Sequence, residues 1–398
     1  MAEAIVRDVN QKFERRPRVA ERVLDADVHV NPPPTFWADY LSPRFRDQAP
    51  TVESDGEFDY LVFEGERRKV NLLSSRAGKT VEEFKAEGKL SDMRTGGWMV
   101  DARLEDMDRD GVDAGVCFGG GPLPTGDLDL YMESFDAFNR WQSDFCNASH
   151  GRLYAAAFIS TVSVDHAIKA MRYAKARGDV AVNIPAFPQS LAKFTKKDAV
   201  WQAMTGDVSG TRSYRDPEFD PLWAAAVELD LAITIHLGAR VTRFRDKDNF
   251  LVDHVMGKPS MLEVPAILIY GGVFDRFPEL RLGLIESQSG WIPWAANYMD
   301  RSWGMQHHWV GNTIKHLPSY YFDKNVYSSF ISDPIAVELR HRPGCKNIMW
   351  SSDYPHSETT FPESHKSIEH DLAGCPPDEK NWILAGCAEK FYGISLKR

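Results

Sequence analysis

The sequence contains no apolar run approaching the roughly 20 residues that a membrane-spanning helix needs, so no span is expected. Its start, MAEAIVRDVNQKFERRPR, is polar and lacks the continuous apolar core of a secretory signal; export is not expected and a cytoplasmic location is. Cysteine is sparse: Cys117, Cys146, Cys345, Cys375 and Cys387 are scattered and form no CxxC pair. That argues against a disulfide framework or a zinc ribbon and leaves buried thiols packing as small hydrophobes. No basic run interleaved with aromatics occurs and the net charge is −10, which argues against nucleic acid as a partner. Internal repeats, low-complexity tracts and an interdomain linker are missing as well. With 43% hydrophobic and 26% charged residues, the balance is that of a globular protein, and one domain over residues 1–398 is the expectation.

What is present is an alternation of short β-branched runs with amphipathic segments. Arg22–Val30, Val112–Phe118, Leu153–Ser160 and Val180–Pro185 read as four strands, and Leu231–Leu237, Arg281–Glu286, Asn325–Phe330 and Asn347–Ser352 as four more. Each is short, apolar along most of its length and bounded by Gly, Pro, Asp or Ser, the character of parallel strands buried on both faces. Helical spacing appears between them at Asp129–Asn147, Val164–Ala176, Pro221–Leu229, Met261–Phe274, Trp291–Trp303, Asp333–Arg340, Ser364–Leu372 and Asp378–Tyr392. Asp333-Pro334 reads as an N-cap followed by proline at the first helical position. Eight strands alternating with helices predict a (β/α)₈ barrel, with a doubly wound sheet as the alternative.

Three stretches exceed what a minimal barrel needs: Thr35–Trp98, with a small hairpin expected at Tyr60–Val70, then Ala186–Asp220 and Gly238–Pro259. All follow strands, so they are expected at the C-terminal face of the barrel, where lids and substrate loops belong. Residues 35–98 are the expected lid.

Polar residues at the C-terminal ends of barrel strands read as catalytic, because side chains from separate strands converge there. Strand one ends Asp25-Ala26-Asp27-Val28-His29-Val30, strand five Ile235-His236-Leu237, strand six Ile285-Glu286-Ser287, and strand eight Ser352-Asp353-Tyr354-Pro355-His356. Residues i and i+2 of a strand share a face, so Asp27 and His29 point together into the mouth. Joined by His236 and Asp353 they suit Zn²⁺, Mn²⁺ or Fe²⁺; the plainer alternative is a hydrogen-bonded polar plug.

The order DADVHV, ITIHLG, IESQSGWIPW, SSDYPHSE resembles the amidohydrolase-related family from about residue 20 onward. Phe277-Pro278-Glu279-Leu280-Arg281 and Phe391-Tyr392-Gly393 add to the likeness. The resemblance implies a barrel whose first-strand His-x-His motif takes its acidic form, Asp27-Val28-His29, with His236 and Asp353 matching the family's strand-five and strand-eight ligands. Two positions depart from the pattern. Asn183 stands where dinuclear relatives carry a bridging lysine carbamate, and the decarboxylases' strand-six histidine falls at Ser287, beside Glu286. The site that remains is rich in carboxylate, and Glu286 becomes a candidate ligand or bridge, with Arg301 as its partner should it face away from the mouth.

The leading expectation is therefore a metal-dependent hydrolase or non-oxidative decarboxylase of a small carboxylated or aromatic substrate. Asp27, His29, His236, Asp353 and Glu286 would hold the divalent ion, zinc foremost, with manganese or iron as alternatives. Asp353 and His356 would be catalytic, and Arg240 would meet a substrate carboxylate through a bidentate pair. His254 and Glu358 have milder readings, as insertion and cap residues, and His307-His308 as surface. A dinuclear iron or manganese–iron oxygenase and a degenerate subunit partnering an active paralogue are the rivals. Homo-oligomerisation is expected, with a hetero-oligomer as the alternative.

Overall fold

The computed structural model describes residues 19–190, 195–196, 199–237 and 248–396. Strand β1 (Leu24–Val30) is buried along its whole length. It is followed by β2 (Thr51–Ser54), β3 (Asp59–Phe63), β4 (Glu66–Asn71) and β5 (Glu87–Gly88), which make a separate four-stranded antiparallel sheet. The hairpin expected at Tyr60–Val70 is thus the centre of a larger sheet.

After this insertion come β6 (Ala114–Gly119), β7 (Leu153–Phe158), β8 (Ala181–Asn183), β9 (Ala232–His236), β10 (Leu282–Ile285), β11 (Val326–Phe330) and β12 (Ile348–Trp350). With β1 they form one eight-stranded sheet in sequential order, every pair parallel. The last strand returns to the first: Val28 bridges Tyr354, the His29 amide donates to the Tyr354 carbonyl at 2.5 Å and the Asp353 amide to the Asp27 carbonyl at 3.1 Å. Sequential order with first-to-last contact is a closed (β/α)₈ barrel; a doubly wound sheet would leave two edges open.

The helices pack outside. Those used below are α1 (Val100–Asp110), α2 (Leu128–Asn147), α3 (Val164–Arg177), α4 (Phe250–Ser260), α5 (Glu263–Tyr270), α6 (Ile292–Val310) and α7 (Cys387–Tyr392). Local chemistry fixes their ends. Asp127 caps α2 by accepting from the Asp129 and Leu130 amides, and Gly178 stops α3 in a left-handed turn. Asp333 accepts from the Ala336 amide ahead of Pro334, as the sequence predicts. The helix expected over Met261–Phe274 is broken in two, because Gly272 adopts φ 65° and caps a fresh turn at Val273–Arg276. Several helices were not expected, among them α1, Pro318–Asn325, and α4, which lies inside the Gly238–Pro259 insertion.

Side chains alternate between two apolar layers. Leu24, Ala26, Val116, Phe118, Ile285 and Met349 belong to one cluster that also includes Phe391 and Tyr392 of α7, so the C-terminal helix packs against the barrel interior. Leu284 and Ile235 belong to another cluster, with Trp223 and Phe274, between strands and helices. All five cysteines are buried and free. Among the described residues no helix is long and apolar enough to cross a membrane.

Candidate metal centre

The C-terminal mouth of the barrel opens into a cavity of about 520 Å³ lined by His29, His236, Glu286, Asp353 and His356, among others. Strand β1 delivers its pair through an irregularity: its register against β6 shifts between Asp25 and Val28. Ala26 packs with the barrel-interior cluster, yet Asp27, the very next residue, meets His236 at the mouth. Asp25 instead lines a small cavity beside Arg103 and Asp110 on the helix side. There its carboxyl accepts from the Asp27 and Ser352 amides and burial pushes its pKa up to about 8.

Asp27 Oδ1 lies 3.2 Å from His236 Nε2 and 3.3 Å from His29 Nε2, and His29 Nε2 is 3.1 Å from Asp353 Oδ1. The ring of His356 stacks on His29 at 3.6 Å, and its Nδ1 is 3.2 Å from the same Asp353 oxygen. Burial alone would raise the Asp27 pKa, but His236 and His29 more than offset it and hold the carboxyl below the usual range. Burial opposes the charge on His29 too, yet Asp27 and Asp353 raise its pKa to about 10. Asp353 is held at about 2 against its burial by His356 and His29, whereas burial and the His29 charge lower His356.

Glu286 enters the mouth by a backbone turn that side-chain alternation does not anticipate. Ile285 pairs with His236 and faces the barrel interior, so alternation would send Glu286 outward and Ser287 inward. The strand ends at Ile285, however, and Glu286 takes φ 56°. Its carboxylate reaches within 3.8 Å of His236 Nδ1, while the Ser287 hydroxyl turns back to donate to the Leu284 and Gln288 carbonyls. Asp353 has the same left-handed conformation, φ 54°, so two acids beyond their strands hold a sparsely populated backbone at the same mouth.

Behind Glu286 stands Lys258 of α4, only 8% exposed, donating to Glu286 Oε1 at 2.7 Å and to Glu358 Oε2 at 2.9 Å. His254, one turn earlier, bonds Glu358. Burial and Asp353 raise the Glu286 pKa to about 7 against the pull of Lys258. The two carboxylates in turn overcome burial and raise Lys258 further. Sequence reasoning missed Lys258 and read Glu358 as a cap or surface group. In fact Glu358 is half-buried in the cavity wall, and because Glu286 faces the mouth, the case that would have paired it with Arg301 does not arise; its cation is Lys258. Asn183 lines the cavity, and Ser287 does not. Arg240 lies outside the described residues. His307 stacks on Trp303 at 4.2 Å on α6 and is not part of the cavity lining.

Buttressing β1 from outside, Arg103 of α1 donates to the His29 carbonyl and, at 2.7 Å, to the Gly96 carbonyl. Arg94 and Asp106 form a buried two-point pair at 2.6 and 2.5 Å, and the Tyr354 hydroxyl donates to Asp106 at 2.6 Å. These bonds tie the residues flanking His29 and Asp353 to one rigid frame.

Donor atoms of Asp27, His29, His236 and Glu286 all lie within 4.8 Å of one another, and two further groups, His29–Asp353–His356 and Glu286–Asp353–Glu358, satisfy the same limit. Asp27 Oδ2, His29 Nε2 and Asp353 Oδ1 are buried without a well-formed hydrogen bond. Buried polar atoms normally make well-formed hydrogen bonds, and three that do not, gathered in one cluster of close imidazole–carboxylate contacts, fit a cation of the kind that takes such donors.

A parallel barrel with imidazole and carboxylate donors gathered at its C-terminal mouth defines a metal-dependent enzyme scaffold. The amidohydrolase profile matches residues 25–394, and the chain belongs to that family. Among solved structures it is similar to an amidohydrolase from Mycobacterium avium subsp. paratuberculosis K-10, with TM-score 0.69 and 20% identity over 96% of this chain and 100% of that one. The 5-carboxyvanillate decarboxylase of Sphingomonas paucimobilis gives TM-score 0.63 and 19% identity, covering 94% and 99%. The 5-carboxyvanillate decarboxylase of Novosphingobium aromaticivorans DSM 12444, solved with manganese and a nitrobenzoic acid, gives TM-score 0.63 and 15% identity over 97% and 100%.

Proposed function

We propose that this chain is a divalent-metal-dependent, non-oxidative decarboxylase of an aromatic carboxylic acid. The observation that carries the reading is the convergence of donor atoms of Asp27, His29, His236 and Glu286 within 4.8 Å of one another beside an open cavity. The manganese-bound decarboxylases of the same fold support it. Asp27, His29, His236 and Asp353 would hold the ion, with Glu286 as a further or bridging ligand. Manganese is favoured over zinc, because the carboxylate-rich donor set suits it and the solved neighbours bind it. When bound, the ion supplies positive charge for a substrate carboxylate and Lewis acidity towards an adjoining oxygen.

Decarboxylation breaks the bond between ring carbon and carboxylate, releases CO₂ and leaves a carbon that must take up a proton. Asp353 and His356 would hold and deliver it as an acid–base pair, the imidazole Nδ1 lying 3.2 Å from the carboxylate oxygen. Lys258 fixes Glu286 and Glu358 in the wall and keeps their charges compensated. Arg240 remains the proposed partner of a substrate carboxylate. The barrel and its insertion would work as one domain, with residues 35–98 walling or covering the site. The exposed side chains of Trp294, Tyr298, Met305 and Trp309 on α6 support self-association, and a cytoplasmic location completes the reading.

His236→Ala should remove both metal and activity; a fully metallated, active variant would refute the assignment. Hydrolysis would use the same ligands, and product analysis separates it by the presence or absence of CO₂. The two additional donor groups favour one second reading, a two-metal centre. Elemental analysis showing two redox-active ions per chain, with O₂ consumption, would replace the decarboxylase by an oxygenase. A metal-free purified protein would point to a degenerate partner.

A further inference from the structure

A second cavity, of about 370 Å³, lies between the barrel rim and the inserted sheet. Val30, Asn31, Asn71, Ser74 and Gly120 line both it and the metal-centre cavity, so the two spaces meet along a shared wall. The character of the second space is different. Phe36, Leu61, Phe63, Val70, Met93 and Phe138 make most of its walls, Glu66 and Arg68, ion-paired with each other, also line it, and none of the grouped metal donors reaches it. Leu61 packs with the Val70–Leu72–Met93 cluster of the inserted sheet, and Phe63 with the Leu41–Phe45–Leu123 cluster against the barrel. Two apolar clusters therefore face one space without filling it. An unfilled apolar space forfeits packing energy, and an apolar lining does not hold water well. Each cavity alone falls in the range of about 300–1,000 Å³ that holds drug-sized ligands, so a single benzene ring with its carboxylate occupies only part of the combined space.

We propose that the cleft between the inserted sheet and the barrel rim is a substrate subsite, and that the substrate is a carboxylic acid carrying a long uncharged alkyl or aryl substituent. This rests on the metal-centre reading: the carboxylate sits at the mouth, and the substituent runs past Asn31 and Gly120 into the cleft. The inserted sheet then sets specificity, while the barrel strands supply the chemistry.

Gly121 offers the cleanest block. It lines the cleft and not the metal-centre cavity, its backbone is not left-handed, and a Cβ there meets nothing within 4 Å. The test is calorimetric titration of the manganese-loaded chain with benzoate and with 4-ethyl-, 4-butyl- and 4-hexylbenzoate. Burial in an apolar subsite should tighten Kd about threefold to fourfold per methylene. G121F should flatten that series towards the benzoate value; Leu61→Gln, on a half-buried wall position, is the second variant should G121F not fold. 4-Hexylphenol, which has no carboxylate, reads the cleft separately and should bind the wild type and not the blocked variant. If benzoate fails to bind while 4-hexylphenol behaves as expected, the metal-centre reading falls and the apolar subsite stands. A flat series in the wild type, or 4-hexylphenol binding that is absent or unaffected by the block, overturns the proposal.

Discussion

Binding a metal here must compete with a proton, and the size of that competition follows from His29. Its imidazole lies between Asp27 and Asp353, which lift its pKa to about 10 despite burial. At pH 7 the ring is therefore protonated, and Nε2, which points at both acids, has no free lone pair for an ion. Three pH units below the pKa, deprotonation costs about 4 kcal/mol, so the apparent affinity for an ion is roughly a thousandfold weaker than that of the deprotonated site. The sign is definite. Raising the pH removes the competing proton, so the apparent Kd for Mn²⁺ should fall about tenfold per pH unit from about pH 6 to about pH 8.

The stability of the metal-free chain runs the other way. The folded pKa of His29 exceeds its unfolded value, so its ion-pair contribution is full below about pH 6.5 and is lost as pH rises through about 10. Bound metal adds about 2.7 kcal/mol at a hundredfold excess over Kd, and this gain should grow with pH at fixed Mn²⁺. Isothermal titration of the apo chain in buffers of different ionisation enthalpy counts the released protons directly. A pH-independent Kd with no proton released would refute the reasoning, because it would mean that His29 is neutral before the ion arrives or is not a ligand.

Other perturbations have equally definite outcomes. Lys258→Met leaves Glu286 and Glu358 without their shared cation in a buried wall; a loss of about 3–5 kcal/mol is expected in denaturant unfolding, and a loss below 1 kcal/mol would show that the carboxylates find other partners. Glu286→Gln keeps the shape and removes the charge, so metal content after dialysis should drop; unchanged content with a lowered Tm would deny it a ligand role. Asp179, 3% exposed, accepts from the Ser143 hydroxyl at 2.8 Å, its other oxygen is orphaned, and burial raises its pKa to about 7. A raised folded pKa means stability that is full below about 3.8 and lost through about 7. Asp179→Asn should therefore gain about 1–3 kcal/mol at pH 8, after an unmatched amide is charged against the roughly 4 kcal/mol released. That gain should vanish near pH 4; a pH-independent difference would contradict the assignment.

The eight barrel strands were legible because each is a short apolar run between turn residues, a pattern that burial on both faces imposes directly. Helix α4 was not. Its Leu251, Val255 and Met256 are exposed while Asp253 and Lys258 are buried, the reverse of the stripe that signals an amphipathic helix, and Gly257 and Pro259 read as loop. Lys258 was invisible for a further reason. Its partners are 28 and 100 residues away, and only the closed barrel brings α4 against the ends of β10 and β12. Asp27, His29, His236 and Asp353 stood out as candidates because they lie at or just beyond strand ends, which topology puts near the mouth, although Asp27 also needs the register shift in β1 and Asp353 the left-handed turn after β12.

Glu286 marks where that logic stops. Alternation is a rule about extended backbone, and it holds through Leu284 and Ile285, which face the helices and the barrel interior respectively. One residue later φ becomes positive, and the carboxylate swings into the mouth instead of behind the strand. A glutamate in the left-handed region costs of order 1–3 kcal/mol, and the structure offsets it with the Ser329 hydroxyl accepting from its amide at 2.8 Å and with the Lys258 pair. Asp353 repeats the device after β12, its amide donating to the Asp27 carbonyl. In both cases the strand delivers the chain to the rim and a strained residue beyond it aims the acid, so the positions that defeat sequence alternation are those where carboxylates face the cavity.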